Sequence, residues 1–365
     1  MAESTVVAGN IVKKWENKFF TEYVRNGRFA KYMGVDEFSL IQIKEALMGE
    51  TGRDLSITLI NRLTGAGKTG KNTLKGNEEK MEQRTFVFIV DRIRHAVLHD
   101  KLDEDFSAIN LVMAKNSILR VWFMENLRDA IIDALGSISV AGAVSLAYAD
   151  ADDTAKDAWL VDNADRVLFG AAISNNSSDD HSASLSNIDN TADKFTAATL
   201  KLMKRRAETA NPRIRPVTTN DDEEWFVVFA GSNTFRDFSS DSVIQQANRE
   251  AWQRGKDNPL FTGGDLLYDG MIIRKVADIA DITGVGAGNI DVGPVYLCGA
   301  QAVGICWKRR SRMIEDIDDY GAKKGAGFEE IRDVKKLYFG KGSGDLDDLV
   351  QHGVHTGYFA SVADA

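Results

Sequence analysis

The segment GAGKTG at residues 65–70 is the first place where residue types and spacing could bind a ligand. Backbone amides of a glycine-rich loop, together with a lysine, can bind the phosphates of a nucleotide. The P-loop pattern, however, requires its first glycine five residues before the Gly-Lys pair, where this chain has Arg62. A predicted strand, and not a helix, follows the segment. We therefore interpret residues 64–80 as an exposed loop, and keep a P-loop nucleotide-binding enzyme as an alternative.

Two further segments match binding motifs only in part. In GVGAGNID, residues 284–291, Asp291 stands where a dinucleotide fingerprint that begins at Gly286 needs glycine or alanine, which favours a turn. Cys298 and Cys306 are the only cysteines, and they lie in the apolar run VYLCGAQAVGICW. Because their spacing fits neither a metal site nor a disulfide framework, we expect two buried, reduced thiols.

The histidines form no metal-ligand pattern. His95 and His99 are four residues apart at a predicted strand end, without the intervening glutamate of a zinc-binding helix. His352 and His355 have no companion ligand at a suitable spacing. The chain also lacks the G-x-S-x-G pattern of serine hydrolases, and its acidic residues are too dispersed to single out a catalytic pair. We predict no catalytic, metal or cofactor site, and a protein that is not an enzyme.

The composition is that of an ordinary globular protein, with 44% hydrophobic and 27% charged residues in a chain of 365. This length favours two domains, or one domain with large extensions. The 45 basic and 54 acidic residues give a net charge of −9, which argues against tight nucleic acid binding and leaves only weak, non-specific contact with DNA. The first residues lack the order of a secretory signal, and no apolar run reaches the roughly 18 residues of a membrane span, so we expect no membrane contact.

The elements around the glycine-rich loop form a predicted hairpin. Residues 54–63 alternate apolar and polar side chains, and a second strand is expected over 83–97. Ten extended residues span about 33 Å, so the hairpin should project beyond its own domain, where another copy of the chain would cover its apolar side chains. The predicted inter-subunit contacts are charged residues of this region: Arg62, Lys71, Lys75, Arg84, Asp91 and Arg92.

One long helix is predicted between Glu104 and Leu135, with Asp103 or Asp105 as its cap and a length of about 46 Å. The polar stretch at 174–190 predicts a solvated loop between two folded parts. Helices predicted at 191–210 and 240–255 flank a buried strand at 224–231. The apolar face of the long helix consists of Ile109, Met113, Leu119, Phe123, Leu127, Ile131 and Leu135.

Six segments, in this order along the chain, resemble the major capsid proteins of tailed bacteriophages with the Hong Kong 97 fold. The branch is the one typified by the coat protein of the N-four phage, and the resemblance covers residues 39–339. The order of the segments is more specific than any one of them. They are LKGNEEKMEQRTFVFIVDRIRHAV at 74–97, NADRVLFG at 163–170, NPRIRPV at 211–217, NPLFTGGDLLYDGMII at 258–273, GAQAVGICW at 299–307 and DDYGAKKG at 318–325.

The resemblance implies an α+β fold with five parts. Residues 1–50 would form an N-terminal arm, 51–100 the extended hairpin called the E-loop, and 101–150 the P-domain with its long spine helix. Residues 151–315 would form the A-domain, and 316–365 would return as C-terminal strands of the P-domain.

The resemblance also implies a major capsid protein that self-assembles as hexamers and pentamers into an icosahedral phage head around double-stranded DNA. Assembly would take place in the host cytoplasm, and the protein would reside in the virion capsid. The implied partners are further copies of the chain, a scaffolding protein and a portal, and the resemblance allows a cement protein. An encapsulin-like compartment shell shares the architecture and is the alternative within the fold.

Overall fold

The computed structural model describes residues 29–60, 67–78, 83–107, 111–140, 144–218, 223–252, 266–339 and 349–364. Helices and mainly antiparallel sheets together confirm the α+β class. The strands are β1 (Met33–Gly34), β2 (Ile41–Lys44), β3 (Asp54–Ile60), β4 (Gln83–Ile89), β5 (Asp91–Asp100), β6 (Ile138–Val140), β7 (Val144–Leu146), β8 (Val167–Phe169), β9 (Val217–Thr218), β10 (Glu224–Ala230), β11 (Leu266–Tyr268), β12 (Met271–Lys275), β13 (Val292–Cys298), β14 (Val303–Asp318), β15 (Lys323–Lys336), β16 (Tyr338–Phe339), β17 (Val350–Gln351) and β18 (Val354–Ala360). The α-helices are α1 (Lys101–Phe106), α2 (Leu111–Gly136), α3 (Asp153–Asp162), α4 (His181–Ser186), α5 (Ala197–Thr209), α6 (Ser232–Ser240) and α7 (Ser242–Trp252).

Helix α2 is the predicted long helix, with a later start. Its 26 residues span about 39 Å, less than the predicted 46 Å. The prediction of the buried face is confirmed for Leu119, Phe123, Leu127, Ile131 and Leu135, all of which lie in one core cluster. Ile109 lies outside the described residues, as does the side chain of Met113.

The start of the predicted helix forms the separate helix α1. Its cap is Asp100, whose carboxylate accepts a hydrogen bond from the Leu102 amide at 2.9 Å, so the predicted caps Asp103 and Asp105 were wrong. Ser107 then has an extended backbone, with φ −85° and ψ 134°, which ends the helical hydrogen-bond pattern. The single rod predicted from Glu104 was therefore wrong in its first turns.

A five-stranded sheet with the order β1-β2-β14-β15-β5 packs against α2. Strands β14 and β15 form a long antiparallel hairpin, and β5 pairs with β15 from Asp91 to Asp100. Strand β3 pairs only with β4, and the predicted second hairpin strand over 83–97 is divided at Val90. That prediction was wrong for residues 91–97, because their backbone pairs with a strand more than 200 positions away.

The second large sheet has the order β11-β12-β10-β13-β18-β8, and β9 pairs with β10. Its centre is β10, which confirms the buried strand predicted at 224–231. The C-terminal strand β18 pairs with β13 in this sheet, whereas β15 lies in the five-stranded sheet. The segment 316–365 is therefore divided between the two sheets, and β14 crosses the boundary expected at residue 315.

The polar stretch at 174–190 is a folded, hydrogen-bonded segment, and the prediction of a solvated loop was wrong. The Asp193 carboxylate accepts hydrogen bonds from the Ala171 amide at 2.7 Å, from Asn175 Nδ2 at 3.0 Å and from the Asp189 amide at 3.0 Å. His181, Leu185 and Ile188 are buried behind this network. Short polar side chains that bond nearby backbone amides can fold a segment with little apolar content.

Two further helices begin later than predicted. Helix α5, predicted from residue 191, starts at Ala197, where Thr196 and Thr199 form a reciprocal capping box. The helix predicted over 240–255 is α7, which begins at Ser242 because α6 already occupies Ser232–Ser240. Within the described ranges, no helix combines the length and apolar character needed to cross a membrane.

Candidate functional site

The described parts of the two glycine-rich segments are turns. Residues 67–78 form an exposed loop in which Gly67 and Gly70 adopt positive φ angles, and residues 65 and 66 lie outside the described ranges. In 284–291 the Gly286 amide donates to the Ile290 carbonyl at 2.9 Å, which closes a tight turn as predicted. In neither segment do the described residues continue into a helix that could present its N-terminus to a phosphate.

His95 and His352 pack against aromatic side chains, whereas His99 Nε2 lies 3.5 Å from Glu104 Oε2. The His95 ring stacks on Trp122 with 4.5 Å between centroids, on the side of the sheet that faces α2. His352 and His355 are buried, and burial lowers the pKa of both, to about 4 for His352. In the part of the chain that the structure describes, no three His, Cys, Asp or Glu side chains are placed to hold a metal ion.

Cys298 and Cys306 are both buried in the core, as predicted, and burial raises the pKa of Cys306 to about 11. Close to this region lies a buried lysine that sequence reasoning did not single out. Lys336 Nζ donates to the Leu135 carbonyl at 3.2 Å and lies 5.6 Å from the centre of the Trp159 ring. Lys336 thus connects the end of α2 with Trp159 of α3. Burial lowers the pKa of Lys336 to about 7, which means that its charged form is destabilised at this position.

The β3–β4 hairpin packs against β14, β15 and β16 at its base, and the loop residues 67–78 are exposed. Phe86 and Phe88 are buried, and the Ile89 amide donates to Asp333 Oδ2 at 2.8 Å. Their outward neighbours Thr85 and Ile89 are exposed. The core of the anchor consists of Leu47, Phe86, Phe88, Val90, Cys306, Leu337, Tyr338 and Phe339. The base of the hairpin is thus part of the core, whereas Thr85 and Ile89 on its other face are exposed to solvent.

The predicted contact residues of the hairpin do not form a cluster among the described side chains. Lys71 and Lys75 are exposed in the loop at 67–78, consistent with a surface position. Arg84 lies in β4 opposite Leu59, and its side chain is outside the described part. Arg62 also lies outside the described residues.

The other two predicted residues, Asp91 and Arg92, belong to β5 and so lie on the five-stranded sheet and not on the hairpin. Arg92 Nη1 is 4.0 Å from Glu329 Oε2, within the same chain. Arg312 Nε donates to Glu329 Oε1 at 2.6 Å, and Arg309 Nη1 donates to the same oxygen at 3.0 Å. Glu329 is only 3% exposed beneath these half-exposed arginines. We call Arg92, Arg94, Arg309, Arg312 and Glu329 the arginine cluster; Arg94 is opposite Glu329 in the strand register.

Burial alone would raise the pKa of Glu329, but hydrogen bonds and charge from Arg312 and Arg309 outweigh it and lower that pKa. Three guanidinium groups lie within 4.0 Å of one carboxylate, and Arg94 lies opposite Glu329 on the neighbouring strand, so the sheet face opposite α2 carries positive charge. The sequence shows only part of this pattern, because three arginines precede Met313 and four acidic residues follow Ile314 within residues 309–320, whereas Arg92, Arg94 and Glu329 lie elsewhere in the chain.

The far end of the same sheet carries large apolar side chains in contact with solvent. We call residues 98–106 and 314–323 the distal tip. Phe106 is 81% exposed, Ile317 is 69% exposed, and Tyr320 is fully exposed in the turn between β14 and β15. The exposed apolar residues of the tip are Leu98, Leu102, Phe106, Ile314, Ile317 and Tyr320, and the acidic ones beside them on β14 and its turn are Glu315, Asp316, Asp318 and Asp319.

Soluble monomers rarely expose a large contiguous apolar patch, and such patches usually mark a binding surface. Strand β14 runs for 16 residues, about 50 Å, so its end lies well away from the seven-stranded sheet. Nothing among the described residues covers the exposed tip side chains. The geometry therefore suits contact with another molecule, and lacks the convergent polar groups of a catalytic site.

Comparisons with known proteins agree with a binding role of this kind. The sequence family described as phage capsid protein matches residues 4–363. The major capsid protein of Pseudomonas phage KPP25 is 28% identical over 351 residues, which cover 89% of each chain. Among solved structures, the capsid asymmetric unit of Cyanophage Pam1 superposes with a TM-score of 0.83 and 35% identity over the whole of both chains. The capsid of Ralstonia phage GP4 shares the fold, with a TM-score of 0.72 and 20% identity over 93% of this chain and 92% of that one.

Proposed function

Since the chain belongs to the phage capsid protein family and is a major capsid protein of a phage, we propose that it assembles as hexamers and pentamers into an icosahedral head around double-stranded DNA. Its location is the virion capsid, and capsid subunits associate with one another. The architecture fits a Hong Kong 97-like fold. The encapsulin-like compartment and the P-loop enzyme are not favoured by these comparisons.

The observation that carries the proposal is the exposed apolar distal tip. Burying one large apolar side chain stabilises a contact by about 1.5–3 kcal/mol. Burial of Phe106, Ile317 and Tyr320 would give each subunit a contact that holds two isolated subunits together only weakly. In a closed lattice every subunit makes several such contacts, so the assembled shell is stable.

Three regions would carry the assembly. The hairpin formed by β3 and β4 would be the E-loop that reaches a neighbouring subunit, with Lys71, Lys75 and Arg84, together with Arg62, as its charged contacts. Helix α2 with the five-stranded sheet, including β5, would be the P-domain. The seven-stranded sheet, including β18, would form the A-domain around the five-fold and six-fold centres. In addition to these regions, the N-terminal arm predicted over residues 1–50 would contact a neighbouring subunit, although its strands β1 and β2 pair within the five-stranded sheet of the same chain.

Further partners follow from the role of a shell. A scaffolding protein and a portal would guide assembly, a cement protein would bind outside, and DNA would be contacted weakly because the net charge is −9. The chain would act by packing and charge, without a catalytic step or cofactor.

Sedimentation and negative-stain microscopy of the full chain, produced with its scaffolding protein, test the proposal. The double substitution Phe106→Ser and Tyr320→Ser should leave the thermal unfolding midpoint of the subunit unchanged and lower the yield of closed particles at least tenfold. The matched control is Ile173→Ser, which alters a 57% exposed apolar side chain away from the tip. A tip variant that assembles as well as this control would contradict the proposed role.

A further inference from the structure

The distal tip and the arginine cluster carry opposite charge, and both lie on the five-stranded sheet, whose face away from α2 is not covered by any described element. Arg94, Ala96 and Leu98 of β5 point to the side away from α2, as do Arg312, Ile314 and Asp316 of β14, because alternate residues of a strand share a face. The basic residues are at one end of this face and the acidic residues at the other, about 20 Å apart along β14.

Among the described residues, the cluster has more positive charge than Glu329 neutralises. Arg309 and Arg312 satisfy the buried Glu329 with hydrogen bonds of 3.0 and 2.6 Å. Arg92, 52% exposed and 4.0 Å from Glu329, adds little to that pair, and exposed Arg94 extends the basic surface. An acidic partner would complete this cluster.

The distal tip carries the negative charge that would complement the arginine cluster. Asp316, Asp318 and Asp319 are exposed, and Leu98 and Ile314 are exposed on the same face as Asp316, so the tip combines negative charge with an apolar surface. Between the basic and acidic ends, the outward face carries Ala96, Gly325 and Gly327, where small side chains allow close approach of another chain. One copy of the chain therefore holds both halves of a complementary contact, too far apart to meet within the same molecule.

We propose that the acidic, apolar distal tip of one subunit docks on the arginine cluster of a second copy of the chain. The contact joins two different surfaces, so it is head-to-tail and extends around a closed ring of subunits. Charge sets the register of the two sheets, and burial of the apolar tip supplies most of the stability. This inference rests on the proposed shell function and specifies one of its contacts.

Charge reversal and its rescue test the contact in the full chain. Arg92→Glu with Arg94→Glu leaves Glu329 its two hydrogen-bonding arginines, and an unchanged thermal unfolding midpoint of the isolated subunit is the check that the fold is retained. Asp316→Lys with Asp319→Lys changes only exposed positions of the tip. Each pair alone should lower particle yield at least tenfold, and all four together should restore it, because the complementary charges are exchanged. Unchanged yield with either pair, or no recovery in the fourfold variant, would overturn the inference.

Crosslinking gives a second readout that does not require closed particles. The second variant carries Arg94→Cys and Asp316→Cys. Within one chain, residue 94 lies two strands away from β14 and opposite residue 312, four residues before residue 316. The Cα atoms of residues 94 and 316 are therefore much farther apart than the roughly 7 Å that a disulfide allows. Oxidation should therefore produce covalent oligomers, and Cys298 and Cys306 remain buried. Absence of oligomers would overturn the inference. Disulfide-linked oligomers from a chain that never forms particles would support the contact and contradict the proposed shell.

Discussion

Replacing Lys336 by methionine should stabilise the subunit at neutral pH. The ammonium group is buried between the end of α2 and Trp159, with the Leu135 carbonyl as its hydrogen-bond acceptor at 3.2 Å. Burial lowers its pKa to about 7, and the nearby Cys298 thiol acts weakly in the opposite direction. Methionine keeps most of the side-chain volume and removes the charge.

The magnitude follows from the difference between the two pKa values of Lys336. The change from the ordinary 10.5 to about 7 corresponds to about 5 kcal/mol of lost stability at and below pH 7, where the lysine is charged in the unfolded chain. Methionine forfeits one hydrogen bond, about 1–2 kcal/mol. The free energy of unfolding should therefore rise by about 3 kcal/mol at pH 7.

The pH dependence has a definite sign. Between pH 7 and 10.5 the unfolded chain binds a proton at Lys336 that the folded chain lacks, so the stability of the parent protein rises with pH in this window. Urea unfolding of dissociated subunits at pH 7, 8, 9 and 10 measures this rise, which should be shallower in Lys336→Met. Lys275→Met, at an exposed position at the end of β12, is the control and should follow the parent curve. A Lys336→Met subunit that is less stable at pH 7, or that keeps the parent's pH dependence, would refute the reasoning.

Two further predictions concern the folded interior. Gly170→Ala should cost at least about 2 kcal/mol of stability, because Gly170 has φ +60° and a Cβ there would lie 2.2 Å from Asp193 Oδ1. The control is Gly288→Ala, at φ +70° with open space around it, which should cost only the backbone strain. Equal losses of thermal stability in the two variants would show that the contact with Asp193 does not contribute to the effect at Gly170. Cys298 and Cys306 are buried, and their raised pKa values keep them protonated, so a thiol reagent should label native subunits at least a hundredfold more slowly than urea-unfolded ones. Rapid labelling of both thiols before unfolding would contradict the described core.

The elements that sequence patterns predicted well are those whose signal is local and strongly periodic. The apolar face of α2 repeats through Leu119, Phe123 and Leu127, and the run at 224–231 has the length and β-branched content of a buried strand. The alternation at 54–60 likewise predicted β3 and its pairing with β4. In each of these cases the residues of one helix or strand carry the periodic pattern that predicts it.

Two predictions failed for different reasons. Residues 91–97 look like a continuation of β4, but their backbone pairs with β15, a choice that local propensity does not determine. The stretch at 174–190 is polar enough for a loop, and only the three-dimensional position of Asp193 shows that its hydrogen bonds fold it. The family resemblance was more informative about function than any of these patterns.

The arginine cluster and the distal tip could not be recognised from the sequence, and the contact residues expected on the hairpin remain a prediction. Charged residues on the hairpin were selected by their position alone, whereas the arginine cluster forms when β5, β14 and β15 align side by side. Its residues come from positions 92–94 and 309–329, so no short window of sequence contains it. Sequence periodicity does not predict the exposed tip either, because Ile317 and Tyr320 are residue types that usually lie in the core. Only the structure shows that both are exposed to solvent.

A cryo-electron microscopy reconstruction of particles purified from cells that produce this chain tests the central claim most directly. We predict a closed icosahedral shell of hexamers and pentamers in which the β3–β4 hairpin lies on a neighbouring subunit and the distal tip is buried against another copy. Particles in which Phe106, Ile317 and Tyr320 remain exposed to solvent would contradict the assigned contact. A chain that stays a 40.2 kDa monomer with its scaffolding protein present would contradict the shell itself.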